Sequence, residues 1–159
     1  MKNRIVSVIV LGIMSVGLSA VGGCATYKAN VTNTRTVPGV EVQVAEAGGS
    51  FWAVIAKNNT NDVVKLVWDE STYVATTGES DRLLRGKTRL IHSGQAQPTS
   101  PIAPGSELRE YCVRESAAEH AQFAGAPGDI NKPARIILVF EIGGRKVMHE
   151  SSVQFTKGK

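Results

Sequence analysis

Three features of the sequence predict an all-β fold, a two-layer antiparallel sandwich with one short helix. From Val40 onward the apolar residues recur with a period close to two, turn residues break them into short segments, and a Gly-Gly pair joins the last two long apolar runs. A period of two places successive side chains on opposite faces of a strand.

In chain order, Val40, Val42 and Val44 alternate with Glu41 and Gln43, which predicts a strand with one buried and one wet face, turned by Gly48-Gly49. The run from Phe51 to Lys57 is apolar throughout, as expected of a central strand. Asn58 to Asp62 is dense in residues that bond their own backbone, and it predicts a tight connection. Val64, Leu66 and Trp68 then share one face. Trp68 is the first core anchor; its burial is worth about 2 to 3 kcal/mol, and its indole N–H needs an acceptor. Asp69, Glu70 and Ser71 end or bulge this strand before Thr72 to Val74 resume it.

Residues 76 to 87 read as an exposed loop with Leu83 and Leu84 folding back, and Arg89 to His92 as a short strand. The segment from Ser93 to Gly105 carries Pro98, Pro101 and Pro104 and cannot be a central strand, so it is expected to cross the surface, with Ile102 either packed under the domain edge or free for a partner. Leu108 to Val113 gives another strand. Ser116 and Glu119 match a capping box, which predicts a helix from Ala117 to Ala124 pinned by Phe123 and closed by Gly125. Ala134 to Ile142 and Arg145 to Phe155 flank Gly143-Gly144, a two-residue hairpin turn. Counting outward from it sets Ile142 against Arg145, Glu141 against Lys146, Phe140 against Val147 and Val139 against Met148, with Glu141 and Lys146 as a cross-strand ion pair. About seven strands of this length suit a sandwich of immunoglobulin or fibronectin type, although the paired cysteines and tyrosine corner of antibody domains are absent.

The N-terminus carries the strongest functional signal. Lys2 and Arg4 precede an uncharged run from Ile5 to Val21, and small residues then lead directly into Cys24. This is the layout of a cleaved secretory leader rather than of a membrane span. The ending Val21-Gly22-Gly23-Cys24 resembles the lipobox of bacterial lipoproteins, with Val in place of the more usual Leu at the first position. The resemblance covers residues 1 to 25 and implies cleavage before Cys24, lipid on its sulfur and amine, and anchoring in a bilayer by more than one acyl chain. Ala25, where Asp would favour inner-membrane retention, implies the outer membrane of a Gram-negative bacterium, with the protein facing the periplasm or the cell surface. Residues 24 to 39, rich in Thr and Asn and ending in Pro-Gly, are expected to be a flexible tether with a reach of roughly 20 Å, and residues 40 to 159 the folded domain.

Loss of residues 1 to 23 from 159 leaves 136, enough for one domain with a core. The 18 Lys and Arg fall to 16 without Lys2 and Arg4, against 14 Asp and Glu, so the net charge is +2 rather than +4. Signs are interspersed with no basic run, which speaks against nucleic acid as a partner. With Cys24 committed to lipid, Cys112 stands alone and is expected to be a buried free thiol. His92, His120 and His149 show no ligand spacing, Asp69 and Glu70 are neighbours on a strand and so face opposite ways, and no nucleophile elbow, zinc motif or phosphate loop is found. No metal and no cofactor is therefore expected.

Together these observations favour a non-enzymatic binding or scaffolding module, tethered to the bilayer through acylated Cys24 and engaging a protein of the cell envelope. The alternative, a small-ligand binder or enzyme of the periplasm, would require a pocket collecting residues such as His92, Asp69 and Arg89. By elimination, the expected contact surface is the loops at one end of the domain. Arg82, Arg85, Lys87 and Arg89 would supply a positive field there, and Gln95, Gln97 and Ile102 of the proline-rich segment would supply contacts.

Overall fold

The computed structural model describes residues 27–48, 51–86, 94–119 and 130–158. In chain order the elements are β1 (Tyr27–Arg35), β2 (Val40–Glu46), β3 (Phe51–Asn58), β4 (Val64–Val74), β5 (Ser80–Arg85), β6 (Ser100–Ile102), β7 (Glu107–Arg114), the helix α1 (Glu115–Glu119), β8 (Ala134–Ile142) and β9 (Arg145–Lys157). All pairings are antiparallel and form one sheet in the order β1-β9-β8-β4-β5-β7-β3-β2, with β6 on the edge of β4. The sheet curls until its two end strands, β1 and β2, come together, so that it is nearly closed into a barrel. β5 makes the corner. Its first half pairs with Thr72 to Val74 of β4, and its second half pairs with Cys112 to Arg114 of β7.

Inward-facing residues alternate along every long strand and fill a single core. On β4, Val64, Leu66 and Trp68 are fully buried; on β8, Ile136, Leu138 and Phe140 are; on β2 and β3, Val42, Val44, Val54 and Ala56 close the opposite wall. The expected bulge in β4 is present as a register shift between Val67 and Thr72. Ser71 repairs it: its hydroxyl donates to the Val67 carbonyl at 2.8 Å and accepts the Val139 N–H at 3.1 Å, taking the place of a missing ladder group.

The C-terminal hairpin has the expected register from Ile142–Arg145 to Val139–Met148, around Gly143 (φ 56°) and Gly144 (φ 76°). Its charges are partnered differently. Glu141 accepts from Lys65 of β4 at 2.9 Å, and Lys146 reaches Glu70, because β4 flanks this hairpin and offers both charges. Trp68 and Cys112 are buried as expected.

Four expectations are corrected. The tether is expected to run to residue 39, but Tyr27 to Arg35 pair along β9 as β1, with Ala29 and Val31 packed against the core. The β-branched Thr and Val of this stretch complete an edge that β9 would otherwise leave bare. Residues 80 to 85 are strand β5 and not loop, because Leu83 and Leu84, both buried, are core residues and not ballast. The proline-rich segment is partly strand: Ser100 to Ile102 pair with Leu66 to Val64 as an edge, where Pro101 is exposed. The helix begins at Glu115, and Ser116 lies inside it with its N–H and hydroxyl both donating to Asp81, so the first turn is capped from β5 and not by Ser116. Phe123 and Ala124 lie outside the described residues.

Candidate functional site

The residues that sequence patterning marks for partner contact divide three ways. Lys87 and Arg89, like Cys24, lie outside the described residues. Arg82 and Arg85 are each committed to carboxylates. Arg82 Nη1 donates to Asp69 at 3.2 Å and to the Gln95 carbonyl at 3.2 Å, while its Nε and Nη2 donate to Glu115. Arg85 pairs with Glu110 of β7, whose side chain is only 10% exposed. The charges of Arg82 and Arg85 are therefore offset locally rather than combined into a positive field. Gln97 and Ile102 are buried, and Gln95 is exposed.

Gln97 acts as a plug under the proline-rich segment. Its Nε2 donates to the Leu83 carbonyl at 2.9 Å, its Oε1 accepts the Arg85 N–H at 2.7 Å, and its own N–H is held by the Asp69 carboxylate at 2.9 and 3.0 Å. Three residues on, the Ser100 hydroxyl accepts the Trp68 indole N–H at 2.9 Å. The Ile102 carbonyl takes the amide of fully buried Asn58, which also donates to Asp62 and accepts the Thr60 N–H. These bonds satisfy β-edge groups that would otherwise be bare, and they make the segment a wall of the fold.

Among the described residues, an open region lies elsewhere, between β1 and β2. These strands are consecutive and joined by Val37-Pro38-Gly39-Val40, a type II turn with the Val40 N–H on the Val37 carbonyl at 3.1 Å and Gly39 at φ 74°. A Cβ at Gly39 would also stand 2.5 Å from the Thr60 methyl, so a glycine suits the position twice over. A type II turn twists against the right-handed twist of paired strands and splays them. Here the two strands share only the bridge Val37–Val40, after which β1 follows β9 and β2 follows β3. Two side chains span the seam that results: Asn33 Nδ2 donates to the Val42 carbonyl at 3.0 Å, and the Ala29 N–H donates to the Glu46 carboxylate at 3.3 Å. Below Asn33 the seam widens into a cleft of about 470 Å³ lined by Lys28, Ala29, Asn30, Val31, Val44, Ala45 and Glu46.

A polar chain runs from the seam into the core. The Ser151 hydroxyl donates to Asn33 Oδ1 at 3.0 Å and lies 3.0 Å from Nε2 of His149. Both Ser151 and His149 face inward on β9 and are buried, and Nδ1 of His149 is enclosed with no hydrogen-bond partner among the described residues. With the Ser151 proton on Asn33, Nε2–H is the imidazole donor and Nδ1 its bare acceptor. Burial holds the His149 pKa below its ordinary value, and burial pushes that of Cys112 up to about 12, so both groups are neutral at pH 7. The period-two alternation from Val147 to Val153 of β9 passes through His149 and Ser151, and it is the signal in the sequence that places them inward.

Among the described residues no group of three or more His, Cys, Asp or Glu side chains is placed to hold a metal ion. Asp69, one member of the pocket that a ligand-binding alternative would need, is taken up by Arg82 and the Gln97 N–H; His92 and Arg89, the other two, lie outside the described residues. The fold and its open seam define an all-β, antiparallel protein with a nearly closed barrel. Neither a known family model nor a curated protein nor a solved structure matches the chain.

Proposed function

We propose that this protein is a lipoprotein, anchored in the outer membrane of a Gram-negative bacterium through acylated Cys24, that works as a non-enzymatic binding or scaffolding module for a protein of the cell envelope. The observation that carries it is the sequence Val21-Gly22-Gly23-Cys24 at the end of an uncharged leader. The start of β1 at Tyr27 adds a geometric consequence. Three residue steps from Cys24 to Tyr27 span at most about 10 Å, so the anchored domain sits close to the headgroups and is not swung on a long leash. The end of the barrel that carries Tyr27, its neighbour Lys157 and the exposed Phe51 then faces the bilayer. The opposite end, with the Pro38-Gly39 turn and the 143–144 hairpin, faces away.

Supporting the binding role, the charged side chains of the barrel wall are knitted to one another. Arg82 pairs with Asp69 and Glu115, Arg85 with Glu110, Lys65 with Glu141 and Lys146 with Glu70, which leaves a surface suited to recognition by shape and by main-chain groups. At the finer level we read the barrel as a flattened sandwich of immunoglobulin or fibronectin type. The division of β5 between β4 and β7 supports this, since it separates a layer β1-β9-β8-β4 from a layer β7-β3-β2.

The test is to label cells with a radioactive fatty acid and fractionate their membranes. Wild-type protein should carry label and sediment with outer membranes, and Cys24→Ser should be unlabelled and either soluble or unprocessed. Unlabelled wild-type protein, or a Cys24→Ser variant still wholly in the outer-membrane fraction, would refute the anchor.

A further inference from the structure

Among the described residues, the edges of β1 and β2 face each other across the seam with no ladder between them beyond the Val37–Val40 bridge, and the chemistry bridging them identifies what belongs there. In an antiparallel strand the N–H and C=O of one residue point the same way, and the next residue points the other way. The Ala29 N–H and the Val42 C=O both point into the seam, so the main-chain groups of Tyr27, Ala29, Val31 and Asn33, and those of Val42, Val44 and Glu46, point there as well. The lone β bridge across it is Val37–Val40, beside the turn. Farther along, an edge N–H is met by a side-chain carboxylate, Glu46, and an edge carbonyl by a side-chain amide, Asn33. A carboxylate oxygen and an amide N–H are the surrogates for the C=O and N–H that an intervening strand would present.

We propose that the seam is a strand-docking groove, and that its occupant is an extended polypeptide segment of a partner protein, held by main-chain hydrogen bonds to β1 and β2. The proposal rests on the binding-module function above and names its contact surface. The cleft lined by Lys28 to Val31 and Val44 to Glu46 has a volume of about 470 Å³, within the range of ligand sites. Four residues of β1 at about 3.3 Å each give it a length near 13 Å, which matches a core of about four extended residues. Toward the barrel interior its walls are Ala29, Val31 and Val44, so the occupant's inward side chains are small and apolar. At the rim stand Lys28 and Glu46, one of each sign, so no strong net charge is demanded. Because β1 and β2 run antiparallel, a docked strand is antiparallel to one and parallel to the other. Main-chain pairing supplies affinity and the alternating inward side chains supply selectivity, as in other cases of strand addition.

The probe is an eight-residue peptide, Lys-Thr-Val-Thr-Val-Thr-Val-Lys, acetylated and amidated at its ends, with a control N-methylated at alternate residues so that its side chains are unchanged and one of its edges is blocked. Binding to the full chain in detergent micelles is followed by amide hydrogen exchange. The expected result is saturable binding with exchange slowed at least about tenfold at Val31 and Val44. Lys28 and Asn30, whose amides face β9, should be unaffected, and the N-methylated control should fail. Glu46→Ala, which removes the carboxylate competing for the Ala29 N–H, should lower the peptide Kd several-fold. The proposal is overturned by any of four results: no saturable binding up to about 1 mM peptide, equal binding of the N-methylated control, protection confined to other strands, or a concentration-dependent dimer that protects the seam amides without peptide. Peptide binding needs no acyl chain, so an unlabelled Cys24 would defeat the anchor and leave this result standing.

Discussion

Trp68→Ala tests the best-defined link between the core and the proline-rich segment. Trp68 is fully buried on β4, and its indole N–H reaches the hydroxyl of Ser100, itself only 2% exposed, 32 residues along the chain. Truncation removes a large apolar side chain from a packed interior, which costs about 3 to 5 kcal/mol in comparable cores. It also takes the donor from a buried hydroxyl. Against a total stability of about 5 to 15 kcal/mol for a domain of this size, the loss is severe but measurable. Ser100→Ala keeps the ring and strands the indole N–H, a change of about 1 to 3 kcal/mol. If the bond is what ties β6 to β4, the two substitutions are not additive: once Trp68 is gone, Ser100→Ala should add little. Urea denaturation of the two single variants and the double variant gives all three values. A loss below about 1 kcal/mol for Trp68→Ala, or strict additivity in the double variant, would refute the assignment of Trp68 as a core anchor bonded to β6. The same geometry predicts that replacing Gln95 to Ile102 by a glycine-serine linker mainly destabilises the domain, since that stretch carries Gln97, Ser100 and Ile102.

Two further outcomes are expected. Gln97→Ala should cost at least about 2 kcal/mol in chemical denaturation, because it leaves the Leu83 carbonyl and the Arg85 N–H without their partner; a neutral result would mean that the segment does not hold β5 in solution. Stability should also fall as pH drops from about 6.5, since His149 stays neutral in the fold while the unfolded chain takes up a proton. Its folded pKa is lowered by burial, so the contribution is complete above the unfolded value and is lost toward the folded one, at up to about 1.4 kcal/mol per pH unit. Denaturation midpoints at pH 7.5 and 5.5 for wild type and His149→Gln measure this, and equal slopes in the two proteins would exclude His149 as the source.

Where local rules suffice, the sequence alone determined the outcome. The alternation of Val40, Val42 and Val44 set the buried face of β2, Gly143-Gly144 set the register of the last hairpin, the polar triplet Asp69-Glu70-Ser71 marked the bulge, and the lone Cys112 between Tyr111 and Val113 was correctly placed in the core. Each of these depends on neighbours in the chain or on a strand period of two. Tertiary structure alone decided the rest. Tyr27 to Arg35 carry too little apolar surface to announce a strand, and they become one because β9 presents a bare edge. Gln97 reads as a surface contact among prolines and Ile102 as either packed under the domain edge or free for a partner, and both are buried because β4, β5 and the loop after Asn58 offer partners that lie far away in sequence. Glu141 and Lys146 found different carboxylate and ammonium partners once β4 was placed beside them. The seam has the same origin. Val37 to Val40 encode a turn whose type splays its flanking strands, and β1 and β2 then go to opposite ends of the sheet by pairing with β9 and β3, partners that no local preference can foresee.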